Sequence, residues 1–321
     1  MKLAKTRRLN RAFSLIELLV VIAIIALVVG ILIAALSHAR RSARTAATSG
    51  ILRDLCSAST AFTTDSHRSP GFFSPTVMGS GANSTAGFTG MQNALLDLAG
   101  GITQAPTVPG QIITVGPGGT NTVNLDLTKI GAQGTGKGYF TPSKNALVAD
   151  AGLVGSAGNK QMPQIVDAFG NPILAWIADE RPSAAFASVD SSTLAKFYWN
   201  ANAGVLNATS IGKDGRNQRF TATGDTCSML GGNNPNLAIT MAGLLGNPAY
   251  PKPNNNAEPS AARGSVVFHS AGSDGYFMGN SERGTKVYGT PGTPIMSVPY
   301  RTGTNIDVMD QYNDVIQATG N

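Results

Sequence analysis

Charge is scarce in this chain of 321 residues: only 13% are Asp, Glu, Lys or Arg, for a formal balance of +6. Most of that balance belongs to one end. Lys2, Lys5, Arg7, Arg8 and Arg11 have no acid among them, and from Phe13 onward the chain nets +1. A basic face for a phosphate backbone is thereby excluded, so no nucleic-acid partner is expected. Histidine is scarcer still. His38, His67 and His269 are the only three, and none stands at zinc-ligand spacing from a cysteine or another histidine. No G-x-S-x-G elbow occurs. The stretch GAQGTGKG, residues 131–138, grazes the phosphate-loop pattern. Gly138 replaces the Ser or Thr that would hold magnesium, and Pro142 falls where the phosphate-binding helix should start. With no catalytic constellation, the chain is not expected to be an enzyme.

What the chain does have is one long apolar run. Phe13 to Leu36 contains a single charge, Glu17. As a helix rising about 1.5 Å per residue it would span a hydrocarbon core about 30 Å thick. A secretory signal has an apolar region of only about 7–15 residues, so the small-x-small stretch Ser37-His38-Ala39 is not read as a cleavage site. The basic leader favours a cytoplasmic amino terminus, a bias that Arg40, Arg41 and Arg44 weaken without reversing. A carboxylate deep in a bilayer costs about 2.5–3.5 kcal/mol on insertion scales, which makes Glu17 a functional candidate.

Past the run, Leu36, Ala39, Ala43, Ala47, Ile51, Leu55, Ala58 and Phe62 recur at helical spacing. Ser69-Pro70-Gly71 ends the pattern. One helix therefore continues from the membrane into the next segment. MQNALLDL, residues 91–98, reads as a short helix. Residues 173–177, 265–269 and 285–288 read as strands, and 79–90, 115–138, 231–236 and 251–260 as loops. The fold class is α+β: a long amino-terminal helix packed on a small antiparallel sheet, with large loop-rich insertions at 66–160 and 180–262. The expected organisation is a leader at 1–12, a membrane helix at 13–36, its continuation at 37–66, and a head at 67–321.

The stretch Ala12-Phe13-Ser14-Leu15-Ile16-Glu17-Leu18-Leu19-Val20-Val21 behind a basic leader resembles the amino terminus of type IV prepilins and type II secretion pseudopilins. That resemblance implies cleavage by a prepilin peptidase between Ala12 and Phe13, then methylation of the new terminus. Ala12 stands where the family usually carries Gly. It also implies that Glu17 pairs with the Phe13 amine of a neighbouring subunit during filament assembly. Partners would be other pilin or pseudopilin subunits, and the site of action the inner membrane, with the head on its far side. An alternative is an anchored extracytoplasmic binding protein that uses the prepilin route only for export.

Two later stretches extend the likeness. Residues 167–173, DAFGNPI, resemble the D-x-[WF]-G-N-P turn of the major pseudopilins, and residues 270–275, SAGSDG, resemble their S-x-G-x-D-G loop. The resemblance implies calcium at the second. Ser270, Ser273 and Asp274 would bind from the loop, Asn313 and Asp314 from the tail, with Asp310 as a spare ligand. An EF-hand is excluded, since its third and fifth positions would be Tyr276 and Met278. Cys56 and Cys227, in an oxidising compartment, are expected to pair.

Overall fold

The computed structural model describes residues 15–104, 112–130, 138–221, 226–252, 255–282 and 307–320. Ala12, Phe13, most of the phosphate-loop-like stretch and the strand expected at 285–288 lie outside them. The chain divides into two units, Met1–Arg44 and Thr45–Asn321.

A single helix, Leu15–Ser66, runs through 52 residues. In the first unit its large apolar side chains from Leu15 to Leu36 are exposed, a surface that water does not tolerate at this length. In the second unit the helix buries Thr48, Leu52, Leu55, Ala58, Ser59 and Phe62, spaced three and four apart. The buried stripe thus starts later than the apolar pattern suggests, and Ala39, Ala43 and Ala47 remain exposed.

The helix packs on a three-stranded antiparallel sheet. Val266–Ser270 is the central strand, flanked by Leu174–Ile177 and Val315–Ala318. Register pairs Phe268 with Ala175 on one side and with Gln317 on the other. Alternation along the strands then builds two cores. Val266, Phe268, Ile173 and Ala175 face the cluster that holds Leu52, Leu55 and Phe62. Val267, Leu174 and Trp176 face the opposite cluster, with Phe197, Trp199, Met241 and Leu245. Much of the 180–262 segment therefore covers the second face of the sheet.

Several expected loops are ordered otherwise. Ile112–Gly118 and Asn121–Asp126 form a hairpin, and Pro251–Lys252 pairs with Asn255–Pro259. Gly81–Ala86 is a helix although its only apolar side chains are two alanines. Ser80 caps it, Gly87 ends it at φ 69°, and its Asn83 ties it to its surroundings. That amide donates to the carbonyls of Met78, Phe88 and Asn200 and accepts the Phe88 N–H, all within 3.0 Å. Asn159 does the same between Ala86 and Gly116. Buried amides thus satisfy loop carbonyls that no ladder reaches. Asn83→Ala should leave several of these groups unpaired and cost about 3 kcal/mol or more, measured by denaturant unfolding.

Candidate functional site

The two pseudopilin-like motifs meet in space. Asp167 Oδ1 accepts the N–H groups of Phe169 and Asn171, each at 2.8 Å, which closes the turn. Asp167 Oδ2 accepts the Ser270 hydroxyl at 2.6 Å, and Asn171 Nδ2 donates to the Gly272 carbonyl at 3.0 Å. Burial pushes the Asp167 carboxyl up, against the pull of these hydrogen bonds. Thr48 Oγ1 accepts the Ala168 N–H at 3.2 Å, so the turn is also fastened to the helix.

From this platform the loop presents Asp274. Gly272 and Gly275 adopt φ of 63° and 75°, and Met278 holds a left-handed 53° without being glycine, a strained conformation for its side chain. The tail arrives beside the loop because Ser270 pairs with Val315 in the sheet. Pairing in the sheet bridges the long sequence gap between Tyr276 and Tyr312. A Cβ on Gly272 would fall 2.2 Å from the Asn313 carbonyl oxygen, so loop and tail touch there.

Asp274 and Asp314 each have one oxygen held and one left over. Asp274 Oδ1 accepts the Tyr276 N–H at 3.0 Å, while Oδ2 is buried and has no partner among the described residues. Asp314 Oδ2 accepts the Met278 N–H at 2.8 Å and contacts His269 Nε2, while Oδ1 is likewise buried and unmatched. The Asp314 and His269 side chains are both fully buried. Glu282, which sequence reasoning missed, is the third acid. Its Oε2 accepts a long 3.4 Å bond from the Asn313 N–H. Burial pushes the Glu282 carboxyl up to about 8, aided by repulsion from Asp274 and Asp314. Burial pushes Asp274 up to about 6, with Asp314 adding and Arg216 subtracting. Gly279 lies between two of the acids. A methyl there would sit 2.6 Å from Asp274 Oδ2 and 3.3 Å from Glu282 Oε2.

Hard cations with oxygen ligands suit such a donor set: unmatched buried carboxylate oxygens around a glycine that leaves room. Among the described residues no three His, Cys, Asp or Glu side chains already close on one point at metal-ligand distances. Ser273 is half-buried beside Asp274. Asp310 does not join the cluster: it is exposed on the turn Val308–Gln311. That turn is anchored elsewhere, by the Arg263–Asp307 ion pair. The expected disulfide is absent. Neither Cys56 nor Cys227 is in a disulfide: Cys56 packs at the edge of the helix-side core and Cys227 is buried in the core across the sheet. Burial pushes the Cys56 thiol up to about 11, which keeps it protonated and unreactive.

Glu17 occupies the first turn of the helix and is exposed among aliphatic side chains. The helix is long and apolar enough to cross a membrane. Residues 7–33 match the family model of the prokaryotic N-terminal methylation motif. No curated protein and no solved structure matches the chain. The amino terminus is thus that of a type IV prepilin-like protein. The motif implies processing by a prepilin peptidase and assembly with pilin-like subunits, and the apolar helix is consistent with a single-pass anchor.

Proposed function

We propose that this protein is a pseudopilin-like subunit of a type II secretion or type IV pilus-related filament. Residues 13–36 hold it in the inner membrane until assembly, with the head on the far side. The observation that carries this reading is the methylation motif at residues 7–33 together with the apolar stretch 13–36, whose only charge is Glu17. Helices of this kind can leave lipid only for another apolar environment, which neighbouring subunits supply. The meeting of the DAFGNPI turn with the SAGSDG loop supports a pseudopilin-like head over an unrelated exported domain. Its size, with 180–262 covering the second face of the sheet, favours a specialised subunit over the bulk filament former.

In this reading Asp274, Glu282 and Asp314 hold a calcium ion, with Asn313 and the loop around Ser270 and Ser273 beside them. The ion supplies positive charge where buried carboxylates face one another, and it ties the tail to the loop. The experiment that tests the subunit reading is the mass of the mature amino terminus from native membranes. The expected result is a chain beginning at Phe13 and bearing one N-methyl group. A terminus at Met1 or Arg40 rejects it.

A further inference from the structure

His269 is hard to explain as a core residue. It is fully buried in a strand whose neighbours are Val266, Val267 and Phe268, and it lies across from Leu174 and Ile316. A buried polar ring there costs free energy unless its nitrogens are matched. Only one of them is. Nε2 meets Asp314 Oδ2, whereas Nδ1 is buried with no partner among the described residues. Because Nε2 faces a carboxylate, the hydrogen bond requires it to carry the proton. The Phe277 ring stands edge-on at 5.1 Å between centroids and fixes the imidazole plane.

We infer that His269 is a positioning residue for the cation site: its Nε2–H, together with the Met278 N–H, pins Asp314 Oδ2 so that Oδ1 stays turned to the ion. This rests on the calcium reading above. Two donors on one oxygen fix a carboxylate that a single donor would leave free to rotate about its Cβ–Cγ bond. Both donors come from outside the ion's own ligands: His269 from the central strand and Met278 from the strained loop. Asp314 thereby reports the state of the sheet to the ion, and the ion holds the edge strand Val315–Ala318 through Asp314.

Three variants of the full-length protein in detergent micelles separate this from a purely structural hydrogen bond. His269→Phe keeps the packing and loses the donor. His269→Gln keeps an amide N–H close to the position of Nε2, and His269→Asn has an amide too short to reach Asp314. Thermal shift is followed across a calcium titration. The calcium midpoint should rise about 10–100-fold in His269→Phe and His269→Asn, the usual effect of losing an outer-shell partner, and return towards wild type in His269→Gln. If His269→Phe does not fold, the Asn and Gln variants carry the comparison. A melting temperature lowered equally with and without calcium, at an unmoved midpoint, overturns the inference and leaves the ion site standing. A wild-type protein indifferent to calcium removes both.

Discussion

Saturating calcium should raise the melting temperature of the full-length protein by about 5–10 °C, and by more at pH 8 than at pH 5. A ligand at a hundred times its Kd adds about 2.7 kcal/mol, and each kcal/mol is worth about 2–4 °C in a unit of this size. The pH dependence follows from the acids. Asp274 and Glu282 titrate at about 6 and about 8 in the folded chain, both raised above ordinary carboxylates, chiefly by burial. Between roughly pH 4 and pH 8 the folded chain therefore holds protons that the unfolded chain has released. Without calcium, stability falls as pH rises through this window and levels off above it. Calcium displaces those protons, so its stabilisation grows over the same range and binding releases acid.

The variants should cross. Asp274→Asn removes a repelling charge, so without calcium at pH 8 it should melt no lower than wild type. With calcium it should melt several degrees lower. Gly279→Ala should also abolish the calcium shift, because its methyl would occupy space against Asp274 Oδ2 and Glu282 Oε2. A melting temperature unmoved by calcium and chelator at both pH values, with Asp274→Asn indistinguishable from wild type, rejects the ion.

The parts legible in the sequence were those with a strong local code. The helix was written in its apolar run and in the three- and four-residue spacing of Leu55, Ala58 and Phe62. The central strand and one of its two flanking strands were written in the runs 265–269 and 173–177, bounded by turn residues, whereas the edge strand Val315–Ala318 was not. What stayed hidden depended on distant partners. The helix Leu237–Leu245 is apolar nearly all round, so periodicity cannot separate it from a buried strand. Gly81–Ala86 is helical through its cap and the Asn83 amide, neither of which shows as a pattern. The Ile112–Gly118 hairpin lies in a tract whose glycines and threonines read as loop.

The proposed cation site divides in the same way. Asp274, Asn313 and Asp314 were singled out through likeness to a family. Glu282 was not, although it lies eight residues past Asp274 in the same turn-rich stretch, a signal that a search for oxygen donors would have weighed. His269 looked like one more residue of a buried strand. Its role depends on the sheet register that sets Ser270 beside Val315 and so delivers Asp314 to its ring. The cysteine pairing failed for a related reason. Compartment chemistry can favour a disulfide, but Cys56 and Cys227 belong to cores on opposite faces of the sheet.

Glu17→Gln should leave the melting transition of the head unchanged and lower assembled material at least tenfold. The first half follows from position. Glu17 belongs to the unit Met1–Arg44, whereas the buried cores belong to Thr45–Asn321. The second follows from electrostatics. Side chains 15–36 are otherwise uncharged, so when such helices gather in a filament the carboxylate enters a medium of low dielectric. There it is tolerated only against a positive charge, and under the proposed cleavage the Phe13 amine of a neighbour would supply it. Attraction to that amine selects one axial offset between subunits and penalises the others, as a buried polar residue sets register in a coiled coil. Gln keeps the volume and can still hydrogen-bond, but it cannot balance the ammonium. Losing one partner of a buried ion pair costs about 3–5 kcal/mol, and 1.4 kcal/mol already corresponds to a factor of ten. The measurement is the fraction of chain recovered in sheared or cross-linked filaments, with the mature terminus checked by mass so that failed processing is not mistaken for failed assembly. Glu17→Asp, which keeps the charge on a shorter stem, should fall between the two. Wild-type amounts of filament from a correctly cleaved Gln variant would show that Glu17 does not set the register.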